Sequence, residues 1–193
     1  MLRLLIAIAG ITSSACFAHE LPDNTLVRNI QITCQADTVL VSYEIGMNPN
    51  TLAELYEAAE EAPPLEQDPA KQAQQFIDEL HAALAKNLEL RIGEEAVELE
   101  LQSSEPAPKH HLTARFVFQA AIDQWPDQAK LSLADTNWLD LDGTAKVAVR
   151  GKRVRVSEAN AALLIVRASP IELGPLKLEE RAEMLTIRAT VKP

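Results

Sequence analysis

The sequence predicts a mainly β protein: an antiparallel, immunoglobulin-like β-sandwich that carries a two-helix insertion at about residues 50–88. Three observations lead there. Apolar and polar residues alternate with a period of two over most of the chain. That alternation is interrupted by a stretch with the 3.6-residue period of amphipathic helices. Short turns separate roughly nine strand-like runs with one apolar face each, which two packed antiparallel sheets would bury against one another.

Residues 1–18 stand outside this pattern. Arg3 precedes an apolar run from Leu4 to Ile11, and the stretch from Thr12 ends in Cys16-Phe17-Ala18, with small residues three and one before the expected cut. These are the three parts of a secretory signal peptide. The run is shorter than the roughly 20 residues a bilayer span needs. Cleavage before His19 is therefore expected, leaving one domain, residues 19–193, that is periplasmic or secreted. The alternative, a lipid on Cys16, would place Ser13 where a lipoprotein signal carries an aliphatic residue.

The elements then follow in order. Ile30, Ile32 and Cys34 share a face of the first strand, and Val39, Val41, Tyr43 and Ile45 share a face of the second. Gln35-Ala36-Asp37 between them reads as a hairpin turn. Asn50 is expected to cap a helix through Ala62, stopped by Pro63-Pro64. Asp68-Pro69 places Asp at the N-cap and Pro at the first helical position. The second helix should run to about Lys86, with Phe76, Ile77, Leu80, Leu84 and Leu88 on one stripe. Residues 88–92 and 97–101 flank Gly93-Glu94-Glu95 and read as a hairpin. After a loop with Pro106 and Pro108, further strands are expected at residues 112–118, 129–134, 145–150, 153–157, 163–167 and 185–191.

Charge and cysteine content narrow the function. The chain has 18 basic and 28 acidic residues, and the signal removes only Arg3, so the exported domain carries a net charge of −11. Such a surface repels phosphates, which argues against nucleic acid and anionic lipid as partners and favours cations. Cys34 would be the single cysteine left, so no intrachain disulfide forms. Its place on an apolar face reads as a small buried hydrophobe. No later stretch is apolar and long enough to span a membrane. No Gly-x-Ser-x-Gly elbow, His-Glu-x-x-His helix or Gly-rich phosphate loop is present.

His19 is the leading candidate for chemistry. As a first residue it offers its α-amine and its imidazole Nδ1 to one metal. The amine sheds its proton at a cost of about 1 kcal/mol at neutral pH, and nitrogen donors favour late divalent ions, copper(II) ahead of nickel(II). His110 and His111 begin the aromatic strand; adjacent strand residues point to opposite faces, so one of them, His111, could complete the site, the competing and favoured reading being a solvated loop end after Pro108-Lys109. His81 sits at the edge of the helix stripe and reads as structural. Asp135 and Asn137, in Asp135-Thr136-Asn137-Trp138, can project together as two oxygen donors at a sheet end. The competing reading makes them a turn that bonds its own backbone, with Trp138 as a core plug. The acidic stretch from Glu54 to Glu66 reads as the wet face of a helix.

His19, then Asn24 and Arg28 before a strand, then Tyr43 and Met47 closing the second strand, resemble the extracytoplasmic N-terminal domain of nickel/cobalt transporter-type proteins. The resemblance continues through the helical insertion, the Leu-Glu-Leu-Arg-Ile-Gly-Glu-Glu hairpin at residues 88–95 and the Asp135-Thr136-Asn137-Trp138 segment. It implies a β-sandwich with a role in transition-metal handling, here without the membrane part and without a His-rich loop. A weaker likeness is to periplasmic copper carriers, whose Asp-x-His pair has Asn137 in place of the second histidine. The sequence thus leads to an exported accessory module for copper, nickel or cobalt, or for a metal transporter or another envelope protein. The rivals are a metal-free interaction module, and a copper enzyme with a histidine brace that would need His110 or His111 beside His19.

Overall fold

Strand β1 (Thr25–Cys34) turns Leu26, Arg28, Ile30, Ile32 and Cys34 inward, and β2 (Thr38–Met47) does the same with Val39, Val41, Tyr43, Ile45 and Met47. The sequence alternation is the alternation of the pleat. Gln35 N–H donates to the Thr38 carbonyl at 2.8 Å, closing the expected hairpin with Cys34 opposite Val39. The structure is a computed structural model that describes residues 21, 23, 25–58, 64, 66–106, 114–160, 163–166 and 177–193.

Helix α1 (Pro49–Ala58) starts earlier than expected. Asn48, not Asn50, caps it, because its Oδ1 accepts the Asn50 N–H at 2.8 Å while Pro49 takes the first helical position. Helix α2 (Pro69–Asn87) begins where Asp68-Pro69 placed it and buries Ile77, Leu80 and Leu84. Tyr56 of α1 meets Phe76 of α2 edge to face, with centroids 5.2 Å apart.

Nine further strands and one helix follow among the described residues. They are β3 (Leu88–Ile92), β4 (Glu95–Val97), β5 (Glu100–Pro106), β6 (Ala114–Ala121), β7 (Ala129–Asp135), β8 (Asp142–Gly151), β9 (Arg155–Ser157), β10 (Leu163–Val166), α3 (Leu178–Met184) and β11 (Thr186–Lys192). One sheet has the order β10-β8-β1-β2-β6-β5 and the other β4-β3-β7-β11-β9. The inner faces of both, with the stripe of α2, contribute to one core that contains Phe116, Phe118, Leu131, Leu133 and Ile187. Burying each such side chain stabilises the fold by roughly 1.5–3 kcal/mol.

Three expectations are corrected. The first sheet is mixed rather than antiparallel, since β8 runs parallel to β1 from Thr25↔Asp142 to Cys34↔Gly151. The cause is the crossing of the chain from β7 in one sheet to β8 in the other: β8 enters at the end where β1 begins. The run 97–101 is not one strand. Val97 ends β4 in one sheet and Glu100 opens β5 in the other, where Pro106 is tolerated because β5 is an edge. Helix α3 was not expected, being only 7 residues long and carrying little periodicity.

Candidate functional site

Arg28 interrupts an otherwise apolar inward face between Leu26 and Ile30, and the second sheet answers it with a carboxylate. Asp135, the last residue of β7, is 0% exposed, as is Arg28. Arg28 Nε lies 3.3 Å from Asp135 Oδ2. The Tyr43 hydroxyl donates to the same oxygen at 2.6 Å. Asp135 Oδ1 accepts the Asn137 backbone N–H at 3.0 Å and its Nδ2–H at 2.9 Å. Three hydrogen bonds and one ion pair thus converge on one carboxylate. The buried charges offset each other's desolvation, which either alone would not survive without a cost of several kcal/mol.

The loop after β7 is gripped from several sides. Arg28 Nη2 donates to the carbonyls of Asn137 at 2.7 Å and Trp138 at 3.3 Å. Arg181, 3% exposed on α3, donates through Nη1 to the Leu139 carbonyl and places Nη2 3.8 Å from Asp142. Two buried guanidiniums therefore take three successive carbonyls. At the end of α2, the Asn87 carbonyl accepts the Thr136 N–H at 3.0 Å and its hydroxyl at 3.2 Å, and Asn87 Nδ2 lies 3.4 Å from Asn137 Oδ1. Trp138 adopts φ 45°, a conformation costly for a residue with a Cβ and held here by its surroundings. Its ring helps line a cavity of about 40 Å³ between α1 and α2, with Leu52, Tyr56, Phe76 and Leu80.

Burial pushes the Tyr43 hydroxyl well above its ordinary range, and the Asp135 charge beside it acts in the same direction, while Arg28 opposes both. Tyr43 is therefore a fixed phenol donor rather than a base. Arg28, Tyr43, Asp135 and Asn137 all face inward, so the arrangement braces the junction of two sheets.

The sequence candidates fall on both sides of this boundary. His19, His110 and His111 lie outside the described residues. Asp135 and Asn137 are brought together, but inside the protein and not as donors projecting from a sheet end. The bond from the Asn137 N–H to the Asp135 side chain is the turn of the competing reading. Neither offers an oxygen to solvent, both being at most 1% exposed. Among the described residues no three His, Cys, Asp or Glu side chains gather to hold an ion, and no described helix is long and apolar enough to cross a membrane. Cys34 is buried, and desolvation pushes its thiol up to about 11. His81 stacks near Phe116 and Phe118, with centroids at 6.3 and 6.1 Å, consistent with a structural role.

Sequence reasoning missed Arg181 and the inward role of Arg28. For Arg28 the signal was present: a charge on the apolar face of an alternating strand implies a buried counter-charge. No protein-family model matches this chain, and no curated protein does.

Proposed function

We propose that the chain is an exported, immunoglobulin-like β-sandwich serving as an accessory module in transition-metal handling. In this reading residues 1–18 are removed, and the α-amine and imidazole Nδ1 of His19 hold one copper(II), nickel(II) or cobalt(II) ion for a metal-handling membrane partner. A second imidazole, such as that of His111, completes the site.

One observation carries the reading. Arg28, Tyr43, Asp135 and Asn137, through which the sequence resembles the exported domains of nickel/cobalt transporter-type proteins, come from three strands and a loop and meet in one network. The segment after His19 is also tied to that end of the protein. Asn48 Nδ2 donates to the Leu21 carbonyl at 2.8 Å, so the residue that caps α1 also holds the chain ahead of β1. Asp135 and Asn137 then support the site from within and are not ligands.

Titration of the chain beginning at His19 with copper(II), nickel(II) and cobalt(II) tests this. Binding is expected to weaken at least about tenfold in His19→Ala, which keeps the α-amine but loses the imidazole and with it the chelate ring. Equal affinity in that variant refutes the proposal. A metal-free interaction module of the envelope is the second reading, favoured by the burial of Asp135 among protein partners. It requires no ion uptake and partner capture through residues 50–88.

A further inference from the structure

The described arginines divide by their partners. Arg28, Arg91, Arg115, Arg181 and Arg188 each pair with a carboxylate. Arg150, Arg153 and Arg155 make no ion pair among the described residues, nor do Lys146, Lys152 and Lys192. Between Asp142 and Glu158 there is no acidic residue at all, in a chain where acids outnumber bases 28 to 18. The cations from Lys146 to Arg155 are all exposed. Net charge alone conceals this inversion.

The fold collects these cations at one end, except Lys146, which stands beside Asn29. Because β8 runs parallel to β1, Gly151 lies beside Cys34, at the end opposite the Arg28–Asp135 network and about 20 Å from Arg28 along the strand. There β9 forms the edge of its sheet, and Arg155 stands directly opposite Lys192 of β11. Like charges in that register repel one another. With Arg153 they line an open groove of about 590 Å³.

The same end bears the opposite sign a short distance away. Strand β3 is three places from β9 in the sheet, or about 14 Å at the usual strand spacing. The β3–β4 turn and the loop after β6 set Glu94, Glu95 and Asp123 around a second groove of about 500 Å³. None of these three carboxylates has an ion-pair partner among the described residues. A uniformly anionic surface, lipid or nucleic acid, would be drawn to the first groove and repelled by the second. At about 14 Å the two are farther apart than the screening length of about 8–10 Å, so each groove acts on the part of a partner that faces it, and a partner covering the whole end meets both signs. A partner must therefore present both signs, side by side and in reversed order. The end of a second copy, turned about a two-fold axis lying between the two molecules, meets that requirement.

We propose that the chain self-associates through this end, with the Arg153, Arg155 and Lys192 groove of each copy receiving Glu94, Glu95 and Asp123 of the other. Such a contact is isologous, so each complementary pairing occurs twice. It leaves the opposite end, with Leu21 and Asn48, facing outward, and it does not depend on metal binding.

Sedimentation velocity of the chain from His19 tests this at low and high ionic strength. A dimer is expected at low salt, shifting to monomer as salt rises. Arg155→Glu/Lys192→Glu and Glu94→Lys/Glu95→Lys are each expected to be monomeric, with circular dichroism unchanged. Mixed in equal amounts, they should restore a dimer containing one copy of each. If either fails to fold, Arg153→Glu and Asp123→Lys replace them in the same mixing experiment. Monomeric parent protein at low salt, a dimer indifferent to both charge reversals, or folded variants that stay monomeric on mixing would overturn the proposal.

Discussion

Replacing Asp135 by asparagine removes the charge that balances Arg28 while keeping nearly the same shape. Both residues are 0% exposed, so water cannot take the place of the lost partner. Breaking one side of a buried pair in this way costs about 3–5 kcal/mol. The amide also has one acceptor oxygen where the carboxylate has two, so it cannot serve both the Tyr43 hydroxyl and the Asn137 amide groups. Arg28 Nε and Nη1 already lack a hydrogen-bond partner among the described residues, so losing the Asp135 charge leaves that side of the guanidinium without compensation. Against a domain stability of about 5–15 kcal/mol, the expected loss is a third or more of the total. Urea unfolding at neutral pH, followed by the fluorescence of Trp125 and Trp138, measures it. The double variant Arg28→Met/Asp135→Leu should lose less than either single change, because it removes both charges together. A loss below about 1 kcal/mol in Asp135→Asn, or additive singles in the double-mutant cycle, would refute the account of Asp135 as an internal brace.

Two further outcomes are expected. Cys34 and Tyr43 both hold their protons more tightly in the folded state than in the unfolded chain, so both stabilise the protein fully at neutral pH and lose that contribution as pH rises. For Cys34 the loss falls between about pH 9 and 11 and amounts to roughly 2–3 kcal/mol, and for Tyr43 it begins near pH 10. Thermal midpoints should therefore drop on the alkaline side, and Cys34→Ala and Tyr43→Phe should each flatten part of that drop; unchanged slopes in both variants would count against it. Gly143→Ala should cost more than about 4 kcal/mol or prevent folding, since a Cβ there would lie 1.7 Å from the Leu26 carbonyl oxygen on the neighbouring strand. Gly93→Ala, with φ 64° but no atom within 4 Å, should cost only about 1–2 kcal/mol in the same unfolding assay.

Much of the architecture was legible because its signals are local. The inward faces of β1, β2, β7 and β11 follow from which residues alternate, and the start of α2 follows from Asp68-Pro69, since pleat and cap are decided within a few residues. Short or switching elements were not legible. Helix α3 is too short to show a period, and the break between Val97 and Glu100 lies inside an unbroken alternation that says nothing about which sheet each half joins.

The candidate site divides along the same line. The residue types were visible in the sequence: an arginine on an apolar strand face, a tyrosine near the end of β2, and an aspartate two residues before an asparagine. Their meeting was not, because Arg28 and Asp135 are 107 positions apart and belong to different sheets. A side chain's face is set by its own backbone, so the sequence alone determined what is buried. Which strands neighbour one another, and so whether Asp135 opens to solvent or closes on Arg28, depends on contacts between distant segments, and only the tertiary structure decided it.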